Sequence, residues 1–401
     1  VSNNSFARKG LDSDDVFKVW IECGRNAPAA ARKLGCTPSA VRAHVQKIQQ
    51  SGGVLKGKDH ELASLRSHVK TLEAHVLTDE RVRKELLKIS TEAVEPPKWL
   101  ATPPKRVTDT AGVPVLFASD WHWGEVVRPA EIGGVNEYNL KIAHERARSF
   151  VTVAIDLLKN HLKSGNYPGI VFILGGDMIS GEIHEELAQT NELESIPAML
   201  DLLGVLIWCI DTLAKEFGHV FVPCVTGNHG RTTRKPRAKR RNHTNFDWLV
   251  YQLLQKHYAN DKRVQFLIPE GPDAYFKVYG TRYLLTHGDQ FRGGDGMIGA
   301  LGPISRGDKK KRSRNVQTDR SFDVMLLGHW HSYIHLNRFI VNGTLKGYDE
   351  YADANNFDVE PAQQALWITH PDHGITFRMP VFVQRGGVLP KTEWISVPKG
   401  G

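Results

Sequence analysis

The chain has 401 residues, 41% of them hydrophobic, a length that suits two or three domains and an apolar share that excludes global disorder. Its 52 Lys and Arg against 44 Asp and Glu give a formal charge of +8, a basic balance that favours polyanionic partners such as nucleic acid. The four cysteines (Cys23, Cys36, Cys209, Cys224) form no CxxC pair, no apolar run approaches a membrane span, and the first residues are polar; no disulfide framework, no membrane partner and a cytoplasmic location are expected.

Residues 1–55 are expected to form a small all-α domain. Ser13, Asp14 and Asp15 cap a first helix whose apolar stripe is Val16, Val19, Trp20 and Cys23. A short Ala-rich helix ends at Gly35. Thr37 then caps a third, with Pro38 in its first turn and Val41, Val45 and Ile48 on one face. The pattern is similar to a helix-turn-helix with residues 38–49 as the recognition helix, so Ser39, Arg42, Ala43 and Gln46 would be offered to DNA. A trihelical packing or protein-docking unit is the alternative. In the next segment, 56–93, Leu62, Leu65, Val69, Leu72 and Val76 recur at spacings of three and four, the seam of a coiled coil, and a homodimer through residues 59–90 is expected. Residues 94–112 are a Pro-rich linker.

From residue 113 the pattern becomes that of an α/β domain, reaching to 345. Apolar strands at 113–118, 169–174, 220–225, 282–286 and 322–327 alternate with amphipathic helices near 139–163, 194–216 and 243–257. Each strand runs into a short polar motif: Asp120 and His122; Gly176 and Asp177; Asn228 and His229; His287 and Asp289; His329 and His331. Ligands of α/β sheets bind at the carboxyl ends of strands. Imidazole and carboxylate together suit Mn²⁺, Fe, Zn²⁺ or Co²⁺ better than Ca²⁺ or Mg²⁺. Neighbouring glycines allow sharp turns and close approach.

The ordered set DxHxG, GGD, GNH, THGD and GHxH resembles the calcineurin-like metallophosphoesterase superfamily. It is nearest the repair-exonuclease branch, or a phage or prophage group that joins such a domain to an N-terminal unit. The resemblance implies a four-layer αββα sandwich with a dinuclear site at one end, Mn²⁺ foremost. Asp120, His122, Asp177 and His331 would hold one ion and Asp177, Asn228, His287 and His329 the other. His229 would be a catalytic non-ligand that stabilises the transition state or protonates the leaving oxygen. Many relatives carry an acid directly after that histidine; here Gly230 stands there, so its orienting partner must come from elsewhere. His184 is either a second active-site histidine or a solvent-facing helix start. Trp121 and Trp123 either stack on a base or pack beneath the ligands.

Two basic runs point to a phosphodiester backbone. One follows His229, with Arg231, Arg234, Lys235, Arg237, Lys239, Arg240 and Arg241; the other, after Asp289, carries Lys309, Lys310, Lys311 and Arg312. As loops tied to the motifs, both are expected at the metal edge. A metal-dependent DNA nuclease or exonuclease is the expected function. The alternatives are a phosphomonoesterase or cyclic-nucleotide phosphodiesterase, and a non-catalytic DNA-binding protein with a structural metal. Residues 346–401 are expected to supply strands that complete or cover the sheet.

Overall fold

A computed structural model of the chain describes residues 12–50, 97–101, 112–162, 166–293 and 299–384. The chain divides into two compact units, Val1–Lys88 and Ile89–Gly401. The coiled-coil segment expected at 56–93, with its dimer seam, lies outside the described residues.

The first unit has helices α1 (Ser13–Glu22), α2 (Ala27–Leu34) and α3 (Pro38–Gln50). The cap of α1 is Asp12, one residue ahead of the expected cluster: its carboxylate accepts from the Asp14 N–H at 3.3 Å. Asp14 and Asp15 thereby fall in the first turn, where the helix dipole favours them. Asn26 caps α2, Gly35 ends it in the left-handed region, and Thr37 Oγ1 accepts from the Ala40 N–H. Val16, Ala30, Ala31 and Val41 close the small core, while Ser39, Arg42, Ala43 and Gln46 are exposed.

The second unit runs β1 (Val113–Ala118), α4 (Leu140–Asp156), β2 (Ile170–Leu174), α5 (Glu185–Thr190), α6 (Ser195–Phe217), β3 (Val220–Pro223), α7 (Phe246–His257), β4 (Val264–Leu267), β5 (Asp273–Val278), β6 (Thr281–Thr286), α8 (Leu301–Gln317), β7 (Val324–Leu327), β8 (Ile334–His335), β9 (Phe339–Val341), α9 (Glu350–Ala354), β10 (Gln363–His370) and β11 (Gly374–Phe382). A six-stranded sheet has the order β11-β10-β1-β2-β3-β4 and a five-stranded sheet β5-β6-β7-β9-β8. Strands β1 to β4 are parallel, and β10 joins antiparallel to β1.

Alternation along the strands builds the layers. Val113, Val115, Phe117, Val171 and Ile173 meet Phe276, Tyr283, Leu285, Leu326 and Ile340 between the sheets. Leu116, Phe172, Leu174 and Val222 point the other way, onto Phe150 of α4, Leu206 and Ile210 of α6 and Val250 of α7. The opposite faces of β6, β7 and β9 (Leu284, Met325, Leu327, Val341) pack on Ile304 of α8. This is the α/β sandwich of two mixed sheets between helices that the resemblance implies. Burial on both faces explains why the central strands read as unbroken apolar runs.

Two expectations are corrected. Helix α6 spans 23 residues and is long and apolar enough to cross a membrane by length and composition. Asp201 and Asp211 interrupt the run and hide it. Leu202, Leu206, Cys209, Ile210 and Leu213 are its core-facing side. The second basic run is not a loop: Lys309–Arg312 belong to α8. Lys311 is buried against Asp273, and Arg312 pairs with Asp308 at 2.9 Å and lies over the Phe322 ring. Both are held by the fold. Lys309 and Lys310 are exposed.

Candidate metal centre

The seven expected ligands come from the ends of β1, β2 and β3 in one sheet and β6 and β7 in the other. The turn after each strand sets the side chain's aim. Asp120, His122, Asp177, His329 and His331 all have positive φ, 55°, 46°, 49°, 69° and 52°. Left-handed backbone at a non-glycine residue costs of order 1–3 kcal/mol and persists only where the surroundings over-determine it. Here they do: Asp120 N–H donates to Gly176 O at 3.0 Å, and His122 N–H to Asp177 O at 3.1 Å. The His329 N–H donates to Asp120 Oδ1 at 2.9 Å and the His229 N–H to Asp177 Oδ1 at 2.6 Å. A Cβ at Gly227 would overlap Asp177 Oδ1, and one at Gly328 would overlap Asp120 Oδ2, so those two turns require glycine.

The side chains gather as Asp120, His122 and His331; as Asp177, His287 and His329; and as His122, Asp177 and His229, the donor atoms of each group within 4.8 Å of one another. His122 Nε2 and His331 Nε2 stand 3.1 Å apart, the spacing of donors that share an ion with bonds of about 2.1 Å. His287 Nε2 is 2.9 Å from Asp177 Oδ2, and its Nδ1 is 2.9 Å from Gly175 O. Asn228 Oδ1 is buried with no hydrogen-bond partner among the described residues, an acceptor whose burial is costly unless a cation or donor meets it.

Electrostatics favour the same reading. Burial works against ionised Asp177, yet His287 and His229 outweigh it and hold the carboxyl well below the usual range. Asp120 is likewise lowered, burial being overcome by His331 and His287. Burial pushes His229 down to about 3 and His329 down to about 4, and lowers His122. On His287 burial is overcome by Asp177 and Asp120, which lift it to about 10. Anionic carboxylates and neutral imidazoles are the forms that ligate; the proton on His287 is the one a cation would displace. The donor set therefore fits two divalent ions.

His229 finds its orienting partner in a backbone carbonyl: Nδ1 lies 2.9 Å from Ser180 O. A carbonyl can only accept, so Nδ1 carries the proton and Nε2 the lone pair. The ring sits edge-on to His122 with centroids 4.5 Å apart. An acid at position 230 has no room, since a Cβ there would stand 2.6 Å from Asn245 Oδ1. Trp121 and Trp123 are fully buried; their Nε1 groups donate to Gln364 Oε1 and Asp201 Oδ2. They pack beneath the ligands and offer no face to a base. His184 is exposed at the start of α5, its ring 5.7 Å from that of His229, in the same cleft.

Several supporting residues carry no sequence motif. Asp247, on the first turn of α7 and fully buried, accepts from the N–H groups of Asp177, Met178 and Gly227 at 2.9–3.2 Å. Burial and the charge of Asp177 push its carboxyl up to about 7. Asp247→Asn turns an acceptor into a donor facing those N–H groups. It is expected to lower unfolding stability by about 2–4 kcal/mol, read from urea melts; an unchanged midpoint would remove Asp247 from this role. Glu125 Oε2 lies 3.1 Å from His122 Nδ1, not aligned for a hydrogen bond. Glu125 also pairs with buried Lys346 at 2.6 Å, and Lys346 pairs with Asp349 at 2.5 Å. Thr344 Oγ1 donates to Asp120 O, and Asn342 Nδ2 to Ser119 Oγ. Their only sequence signal is polarity inside an otherwise apolar stretch.

Among the basic residues, Arg231 donates to Asn228 O at 3.1 Å and to Thr233 O at 3.0 Å, and Arg241 pairs with Asp289 at 2.8 Å. Arg234, Lys235, Arg237, Lys239 and Arg240 are exposed on the same loop.

No family model and no curated protein matches the sequence. Among solved structures, Vps29 from Entamoeba histolytica complexed with Zn²⁺ is similar at 13% identity, covering 67% of this chain and 99% of that one, with a TM-score of 0.26. Vacuolar Protein Sorting 29 from Cryptosporidium parvum is similar at 12% identity, covering 67% and 97%, with a TM-score of 0.29. A dimetal phosphatase from Danio rerio is similar at 10% identity, covering 68% and 99%, with a TM-score of 0.32.

Proposed function

We propose that this protein is a phosphate-ester hydrolase working with two divalent metal ions, Mn²⁺ foremost, on nucleic-acid phosphodiesters, DNA above all. The observation that carries the hydrolase reading is the set of three overlapping His/Asp groups built from strained turns, with Asp177 in two of them and Asn228 Oδ1 unpaired among the described residues. Asp120, His122, Asp177 and His331 would hold one ion, and Asp177, Asn228, His287 and His329 the other. The bound ions supply Lewis acidity toward the phosphoryl oxygens and the attacking water. His229 contributes the proton chemistry. Its neutral Nε2 takes a proton once the anionic phosphate offsets the cost of burial, and delivers it to the departing oxygen. Ser180 O keeps the ring in the required tautomer.

The nucleic-acid reading rests on the five exposed cations from Arg234 to Arg240 beside the Asn228 turn, and on the exposed Arg42 and Gln46 of α3, which would contact DNA through the first unit. A dimer through residues 59–90 and an intracellular location complete the proposal. A second reading, hydrolysis of a small phosphomonoester or cyclic nucleotide, is favoured by one observation: Glu131, Glu186 and Glu350 line the metal cleft and would repel a long polyanion.

Turnover of single-stranded DNA, duplex DNA, RNA and p-nitrophenyl phosphate esters with Mn²⁺, with and without chelator, separates these. Chelator-sensitive cleavage of DNA is expected; turnover of the small esters alone would leave only the second reading. Neutralising Arg234, Lys235, Arg237, Lys239 and Arg240 to Gln should flatten the dependence of log KM for DNA on log salt by about 0.7–0.9 for each phosphate that the loop no longer neutralises. An unaltered slope would take this loop out of substrate binding.

A further inference from the structure

The cleft that contains His122, Asp177, His229 and His331 has a volume of 610 Å³ and is also lined by Leu187 and Trp330 and by a wall that Tyr351 and Phe357 form together. That is more room than a phosphoryl group fills and is the size of a small-molecule site. Tyr351 and Phe357 are 66% and 54% exposed, with ring centroids 6.0 Å apart and planes at 73°. Both rings are far more open than Trp121 and Trp123, which are fully buried and do not line the cleft, and than Trp330, which lines it half-buried.

The wall is fixed to the metal centre. Asp349 caps α9 by accepting from the Ala352 N–H at 2.8 Å, and its carboxylate pairs with buried Lys346. Lys346 pairs with Glu125, which stands beside His122. On the other side the Arg128 N–H donates to Glu350 Oε1 at 2.7 Å, and the Phe357 N–H donates to Ala352 O at 2.9 Å. These contacts hold the backbone that carries the two rings at a set place relative to the ligands. The carboxylates of Glu131, Glu186 and Glu350 share this cleft, and none of its described lining residues comes from the Arg231–Arg241 loop. Arg128, the exposed cation of this cleft, pairs with Glu131 at 3.5 Å, so the balance along the wall stays acidic, which disfavours a further phosphate and suits an uncharged planar group.

We infer that Tyr351 and Phe357 form a nucleobase subsite, seating the base of the nucleotide whose phosphate lies at the metal centre. The inference rests on the phosphoesterase reading and names the part of the substrate this site selects. Stacking on a ring face tolerates any base, so the subsite confers a preference for nucleotides over other phosphate esters without a sequence preference.

The test uses the full chain loaded with Mn²⁺ and two ligands that are not hydrolysed, a nucleoside 5′-phosphonate and the matching base-free sugar phosphonate. The nucleoside compound is expected to bind at least about ten-fold more tightly. Tyr351→Ala and Phe357→Ala should each bring that ratio down to within about two-fold of one, and Tyr351→Phe should restore it. Both positions are exposed, so the variants should fold. A wild-type ratio near one overturns the subsite. So does a ratio that survives both alanine variants, which would leave the pair as a surface for a protein partner. Metal-dependent ester turnover with no base preference sinks this inference alone; base preference with no turnover of any ester sinks the hydrolase reading alone.

Discussion

Asp177→Asn is expected to lower kcat/KM for any phosphate ester by about 10³-fold or more. Loss of a shared metal carboxylate forfeits several kcal/mol of transition-state stabilisation, at 1.36 kcal/mol for each factor of ten. Asp177 is the carboxylate that belongs to two of the three groups: it gathers with His287 and His329 and also with His122 and His229. Its Oδ1 accepts from the His229 N–H and its Oδ2 lies 2.9 Å from His287 Nε2. An amide of the same shape keeps the first of these hydrogen bonds and loses the charge. The fold should survive, because it then buries one anion fewer among Asp120, Asp177 and Asp247, all fully buried. Binding of ions to the folded state alone raises stability by mass action, so the wild-type melting temperature should rise with Mn²⁺ and that of the variant should rise much less. Two ions per chain in both proteins, by metal analysis after dialysis, would refute a shared role for Asp177.

How much of this centre is legible in the sequence follows from how its parts are built. The ligands announce themselves because each closes an unbroken apolar run, and those runs are unbroken because β1, β2, β3, β6 and β7 are covered on both faces. Strands β4 and β5 escape the reading for the converse reason. Each alternates buried with partly exposed residues, and Lys277 of β5 is exposed, so neither forms a run. The basic stretch at 309–312 looks like a solvated loop because charge density hides helical period. In three dimensions Lys311 is oriented by Asp273, 38 residues away, which no local pattern links to it, and Arg312 by Asp308, an i,i+4 pair that becomes legible only once the stretch is read as a helix.

The supporting layer is the least legible part. Asp247 lies 70 residues from Asp177, and Gln364 is 245 from Ser119, whose N–H it accepts. Long-range acceptors of this kind read in isolation as ordinary polar residues. Even the strain is invisible: positive φ at five of the expected ligands belongs to the turns, and nothing in Asp or His foretells it. Gly230 shows how the structure can reverse the sense of a departure from a motif. The missing acid looks like a weakness of the site until Ser180 O is seen to take over the orienting role, with Asn245 and Asp247 filling the space an acid would need.

His229→Ala should lower kcat for DNA by about 10²–10⁴-fold, the usual worth of a positioned proton donor, with metal content retained. The leaving group distinguishes the two roles open to this residue. Cleavage of DNA expels a sugar alkoxide, which needs a proton as the bond breaks; a p-nitrophenyl ester expels a stable phenolate, which does not. If Nε2 delivers the proton, the loss is large for DNA and small for the p-nitrophenyl ester. If the ring acts by placing positive charge near the phosphoryl oxygens, both substrates lose alike. The geometry favours delivery. With Nδ1 committed to Ser180 O, the ring can take up and release a proton only at Nε2, and burial holds the resting imidazole neutral, down to about 3, so that any proton it gains is readily given up. His229 also groups with His122 and Asp177 within 4.8 Å, which permits a third outcome. Should the alanine variant lose one ion per chain together with its Mn²⁺-induced rise in melting temperature, His229 is a ligand and the proton must travel by another group, with His184, 5.7 Å away across the cleft, the first to test.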